Sequence, residues 1–219
     1  ERYVLTLNNR ALRDVVSAVP YEFVVILVNE KQYGGGGIYN SHSTAAVGSA
    51  FADYLFVHEF GHHFAGLGDE YYTSPVAYET GGEEFVEPWE PNITALRDTA
   101  GLKWRELVAP GTPLPTPWNA SHFEAHAREI QARRQRLIET RAPEAEFDAL
   151  FREQREIERV MLGSMPYSGM VGAFEGASYE PRGLYRPEID CIMFSRNMTR
   201  FCRVCQRALE QIIDLYAGD

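Results

Sequence analysis

The stretch "HEFGHHFAGLGDEYY", residues 58–72, decides how the chain is read. It closes a mostly apolar run, "AFADYLFVHEFGHHFA" over residues 50–65, which is too long for a typical strand and reads as a buried helix. Gly66 follows, and a glycine in the left-handed conformation is a common end for such a helix. On that helix His58 and His62 lie on one face about a turn apart, so both imidazoles can reach a single ion. Glu59 is rotated by about 100° around the axis, which sets its carboxylate beside the ion and not on it. A general base next to a Lewis acid is the arrangement that hydrolyses an amide by activating water. Phe51, Leu55, Val57, Phe60 and Phe64 surround these polar groups, where unpaired histidine and glutamate would carry a considerable desolvation cost. Chance is a weak rival, since such a pattern arises in a chain this long with a probability on the order of one per cent. The spacing therefore predicts a metal site with His58 and His62 as ligands and Glu59 as the base. His63 points away from the ion and is expected in a supporting or plain surface role.

Upstream, "NRALRDVVSAV" (residues 9–19) has helical spacing ended by Pro20, and "YEFVVILVN" (21–29) reads as a buried β-branched strand, an α/β beginning. "YGGGGIYN" (33–40) comes next. It lacks the Gly-Lys-Ser/Thr and the immediate helix of a phosphate-binding loop. Downstream, residues 73–120 hold seven of the twelve prolines and read as a long loop laid over the surface. Residues 121–162 turn abruptly to Glu, Arg, Ala and Gln, with Ile130, Leu137, Phe147, Leu150, Ile157 and Met161 spaced for two helices broken near Pro143. This reads as an inserted helical hairpin, dispensable for metal binding. Its "HFEAH" repeats the histidine spacing at His122 and His126, but the charged setting and missing third ligand favour surface histidines. Residues 199–217 carry the clearest amphipathic helix.

The chain has 219 residues and a formal net charge of -10, which argues against nucleic acid or an anionic membrane as partner. No run of eighteen apolar residues marks a transmembrane segment. Beginning at Glu1 with neither a basic start nor an apolar signal core, the sequence reads as a mature or excised fragment. A single domain spanning 1–219 is expected. Of the three cysteines, Cys191, Cys202 and Cys205, at most two can form a disulfide.

"HEFGH" and "FAGLGDEY", with the later "GLYRPEIDCIMFS" (183–195) and "FCRVC" (201–205), resemble the metzincin-type zinc metallopeptidases related to bacterial IgA peptidases. "VVILVNEKQYGGGGIYNSHS" (24–43) and "VGAFEGASY" (171–179) extend the resemblance over nearly the whole chain. It implies a metzincin-like zincin domain of α/β (α+β) class: a twisted mixed sheet and active-site helix above a cleft, a loop-rich lower part, and a Met-turn at Met193. It implies one catalytic Zn2+, a polypeptide substrate, and a secreted, cell-surface or periplasmic bacterial setting. Gly36, Gly37 and Ile38 would form the cleft's upper rim, where an extended substrate adds as a strand; a flexible hairpin turn is the plainer reading of the first glycines.

The sequence departs from the metzincin pattern where a third histidine is common, six residues after His62, because that position is Gly68. Asp69 is then the third ligand: Leu67 folds back on the core, Gly68 takes a conformation closed to other residues, and a carboxylate arrives opposite the imidazoles. Glu70 is the alternative, and both acids could instead bind arginine or solvent. Tyr185 or Arg186 could donate to the oxyanion; equally, Tyr185 could pack and Arg186 could lie on the surface. The cysteines resemble part of a four-cysteine structural zinc set lacking its fourth member, so a disulfide or three reduced thiols in a packed core is the favoured expectation. The rival to a zinc endopeptidase is a degenerate zinc-binding domain acting as a protein- or glycan-binding module. Glu59 argues against it, since a binding module has no use for a base beside the ion.

Overall fold

The computed structural model describes residues 4–73, 85–197 and 200–218. The chain divides into two compact units, Glu1–Leu67 with Leu209–Asp219, and Gly68–Ala208. In the first unit, α1 (Asn9–Val16) opens under an Asn8 cap, whose side chain accepts from the Ala11 N–H at 3.1 Å. Strand β1 (Val25–Val28) pairs in parallel with β3 (His42–Ala46), and β2 (Gly35–Ile38) pairs antiparallel to β3 on its other side. The sheet is therefore mixed, in the order β1-β3-β2, with β3 buried along its whole length. The predicted strand over 21–29 is trimmed to the four residues that find register partners in β3.

Helix α2 (Ala52–Ala65) lies on this sheet and carries the histidines. Its seat is made by the glycine tract. A Cβ on Gly37 would stand 2.3 Å from the Glu59 carbonyl oxygen, and one on Gly35 would stand 2.9 Å from Glu59 Cγ. Gly36 faces the opposite side, toward Leu5. The tract is thus a strand made bare so that the helix backbone can touch it, and not a flexible turn. Helix α2 ends as its sequence predicts, at Gly66 with φ 61° and ψ 30°.

The second unit holds the β4 (Phe174–Ala177) and β5 (Glu180–Arg186) hairpin, with a bulge between Glu175 and Ala177 where Gly176 takes φ 100°. Tyr185 of β5 also bridges to Thr94. Helices α3 (Ala120–Glu139) and α4 (Glu144–Gly163) pack on each other around the predicted break before Pro143, with Asn119 capping α3. Helix α5 (Arg203–Ala217) ends the chain.

Two sequence expectations change here. The proline-rich stretch, of which 74–84 lie outside the described residues, is not confined to the surface, for Ile93, Leu102 and Trp104 are buried. Proline forbids a ladder, not burial. The backbone is satisfied by side chains instead: Lys103 Nζ donates to the carbonyls of Pro88, Glu90 and Ile93, and Trp104 Nε1 to Gly172 O at 2.7 Å. The α3–α4 pair is likewise no mere surface addition, because Phe123 packs 5.1 Å from the Phe194 ring and Arg196 lies over Phe151. The charged composition of these helices describes mainly their outer faces, Glu158 of α4 being buried.

Because the atom facing Gly37 is backbone and cannot turn aside, Gly37→Ala should cost about 1–3 kcal/mol. Gly36→Ala meets only the movable Leu5 side chain and should cost less. Urea denaturation of the two variants checks the difference.

Candidate active site

Burial of one face of α2 draws His58 into the protein, 5% exposed, while the i+4 spacing stacks His62 beside it. The two rings meet edge to face with centroids 4.8 Å apart, and their Nε2 atoms approach to 3.2 Å. Each ring is held from behind by its other nitrogen. His62 Nδ1 donates to the Leu67 carbonyl at 2.5 Å, and His58 Nδ1 lies 3.2 Å from the Tyr54 hydroxyl, whose ring stacks on it. An imidazole whose Nδ1–H is so used keeps the Nε2 lone pair for a metal. Two nitrogens bound about 2.0–2.1 Å from a tetrahedral zinc stand about 3.3–3.4 Å apart, close to the separation found. Nε2 atoms this close either share one proton in a hydrogen bond or bracket a cation, and their separation fits a metal. A Glu59 carboxylate oxygen lies within 4.8 Å of the ligating atoms of both histidines.

The Leu67 carbonyl reaches His62 because of the helix cap. The Gly66 N–H closes on His62 O at 3.1 Å and the Leu67 N–H on Gly61 O at 3.3 Å, which folds the chain back and buries Leu67. His63 corrects the surface alternative. It is 1% exposed, 3.4 Å from the Ser43 hydroxyl through Nδ1 and against the Phe23 ring. Burial, then nearby His42, lowers its pKa, so it sits neutral between helix and sheet.

In the second unit, Gly68 does not need a left-handed conformation; it needs space, since a Cβ would stand 2.7 Å from Ile93 Cγ1. Asn92, fully buried, clamps it from both sides, accepting from the Gly68 N–H at 2.7 Å and donating to the Gly68 carbonyl at 2.9 Å. The Tyr179 hydroxyl donates to Asp69 Oδ2, while the Ser178 and Tyr179 N–H groups bond the carbonyls of Asp69 and Tyr71 at 2.8 and 3.0 Å. Asn92 is marked by no sequence signal, and Tyr179 only closes the quoted stretch "VGAFEGASY"; both act through tertiary contacts. The Glu70 N–H donates to the Met193 carbonyl at 2.9 Å, and its carboxylate turns toward Asn92 and the cysteines. Met193 itself is fully buried in a turn.

Arg186 is a core residue. It is wholly buried, donates to the carbonyls of Glu175 and Gly176, and packs 4.3 and 4.0 Å from the Trp118 and Phe194 ring centroids. Burial brings its pKa down to about 10. This burial corrects the expectation of Arg186 at the surface. Tyr185 is half-buried, its phenol bonded to Glu175, and burial followed by that carboxylate raises its pKa. His122 is exposed, whereas His126 lies 4.0 Å from the buried Glu158 of α4. Among the described residues no helix is long and apolar enough to cross a membrane.

Two imidazoles aimed at one point, on a helix that also offers a carboxylate to that point, make the protein a metallopeptidase. More narrowly, the chain belongs to the IgA Peptidase M64 family, whose model matches residues 1–213. No curated protein matches it significantly.

Gly66→Ala puts a side chain in the left-handed region, at a cost of about 1–2 kcal/mol, and displaces the Leu67 carbonyl from His62. The variant should melt lower and hold its metal more weakly, as read by chelator competition. His58→Ala or His62→Ala should lose that metal while keeping the fold.

Proposed function

We propose that the chain is a zinc-dependent endopeptidase in which His58, His62 and Asp69 hold the ion and Glu59 moves the proton. The observation that carries it is the convergence of the two Nε2 atoms at 3.2 Å beside the Glu59 carboxylate. Imidazole and carboxylate donors suit zinc, and three protein ligands leave a position for water. Zinc bound there supplies Lewis acidity and a water that gives up its proton near neutral pH. Glu59 takes that proton on its carboxylate and returns it to the leaving amine nitrogen.

Asp69 is the third ligand by chain reach. It stands two residues beyond Leu67, whose carbonyl touches His62, and two extended residues span at most about 7 Å. Tyr179 donates to its carboxylate, the kind of outer hydrogen bond that orients a ligating group. Glu70 is the weaker alternative because its Oε1 is already bonded to Asn92 at 3.0 Å and faces Cys205 Sγ at 3.2 Å. Met193 would serve as the apolar floor of a Met-turn.

For substrate, an extended polypeptide adds to β2 at Gly36, Gly37 and Ile38. The Ala46 N–H donates to Gly34 O at 3.0 Å, so in the β-ladder alternation Gly36 also faces β3 and Gly37 turns its N–H and C=O outward. The family resemblance supports a secreted, cell-surface or periplasmic setting in a bacterium as part of this reading.

Glu59→Gln should keep the metal while hydrolysis of a peptide library falls by about 10²–10⁴-fold. Turnover retained in that variant would show that another group is the base. Asp69→Asn should lower metal affinity, read by competition with a chelator; an unchanged affinity assigns the third position to Glu70 or to water.

A further inference from the structure

We propose that Glu70, Cys191, Cys202 and Cys205 form a second metal centre, a structural zinc site of one carboxylate and three thiolates. The four side chains come from three separate stretches of the second unit, and each offers a donor atom within 4.8 Å of all the others. All are buried and the cysteines are free. Cys191 Sγ and Cys205 Sγ are 3.9 Å apart, and Glu70 Oε1 lies 3.2 Å from Cys205 Sγ and 3.8 Å from Cys202 Sγ. Sulfurs bound about 2.3 Å from a tetrahedral zinc stand about 3.8 Å from one another and about 3.5 Å from a carboxylate ligand. These three separations therefore lie close to the edge lengths of a coordination tetrahedron, and the remaining pairs are all within 4.8 Å.

A second observation points the same way. Glu70 is fully buried, yet its Oε2 has no hydrogen-bond partner among the described residues, a cost that an adjacent cation removes. The surroundings also suit thiolates. The Cys202 N–H donates to Cys191 Sγ at 3.2 Å, Asn92 Nδ2 donates to Glu70 Oε1 at 3.0 Å, and the buried Arg186 acts electrostatically on Glu70. Cys202 and Cys205 have the two-residue gap usual in zinc sites, at the start of α5. Thiolates select a soft or borderline ion over magnesium or calcium. Four protein ligands leave no place for a water, so the site is structural and not hydrolytic. It fastens the turn after Gly68, the turn holding Met193 and the first turn of α5 to one another. The carboxylate supplies the ligand for which the sequence has no fourth cysteine.

The test separates this centre from the histidine pair. In the full chain carrying both His58→Ala and His62→Ala, elemental analysis should find about one zinc per chain, and a thiol-specific mercurial should release it. Replacing that zinc with cobalt should give the intense near-ultraviolet band of sulfur-to-cobalt charge transfer. Glu70→Ala in the same background should keep the band but release zinc to a chelator faster. Cys202→Ser with Cys205→Ser should abolish the band; should that pair fail to fold, the cobalt spectrum of the histidine variant still decides. A folded histidine variant with no zinc and no charge-transfer band overturns the proposal. If instead the wild type holds only the mercurial-released zinc, the second centre stands and the reading of His58 and His62 as ligands fails.

Discussion

The backbone of α2 at Glu59 rests directly on Gly37, with no side chain between helix and strand. This contact sets the height of the helix over the sheet, and with it the position of both residues whose atoms it involves. Gly35 receives Glu59 Cγ and Gly37 receives His62 Cβ, so the strand touches both of these motif residues at once. A methyl group at either place would lift the helix face that carries the chemistry. Gly35 and Gly37 are thus a packing requirement of the site, and the interior's low tolerance for added volume is what makes the placement definite.

The orientation of the ligands depends on a second backbone feature, the left-handed Gly66. It turns the chain so that the Leu67 carbonyl meets His62 Nδ1, while Tyr54, one turn before His58 on the same helix, does the equivalent for His58. One ligand is therefore held by the end of its own helix and the other by a neighbour at i−4. The carbonyl support leaves Nε2 of His62 as the lone-pair nitrogen, and both supports are local in sequence. After Gly68 the supports become long-range: Asn92, Tyr179 and the Met193 carbonyl reach residues 68–70 from distant parts of the second unit. The acids beyond the helix, one of them a proposed ligand, are thus positioned by parts of the chain that no local pattern connects to them.

The sequence by itself located α2 to within two residues of its start at Ala52, its stop at Gly66, and the grouping of His58, Glu59 and His62 on it. These follow from helical periodicity and the conformational freedom of glycine, both short-range. It also located α3, α4 and α5, because amphipathic spacing and Pro143 act within a few residues. What it could not determine was everything fixed by contact at a distance. The glycine tract reads equally as a rim or a turn until α2 is laid on it, and His63 reads as surface until Phe23 and Ser43 enclose it. Arg186 reads as an oxyanion donor or a surface residue until the Trp118 and Phe194 rings are seen to pack against it in the core. Three cysteines look incomplete until the fold brings Glu70 among them, from a stretch more than a hundred residues away. Periodicity and capping depend on neighbouring residues and are written along the chain, whereas space, burial and convergence exist only once distant segments share a volume.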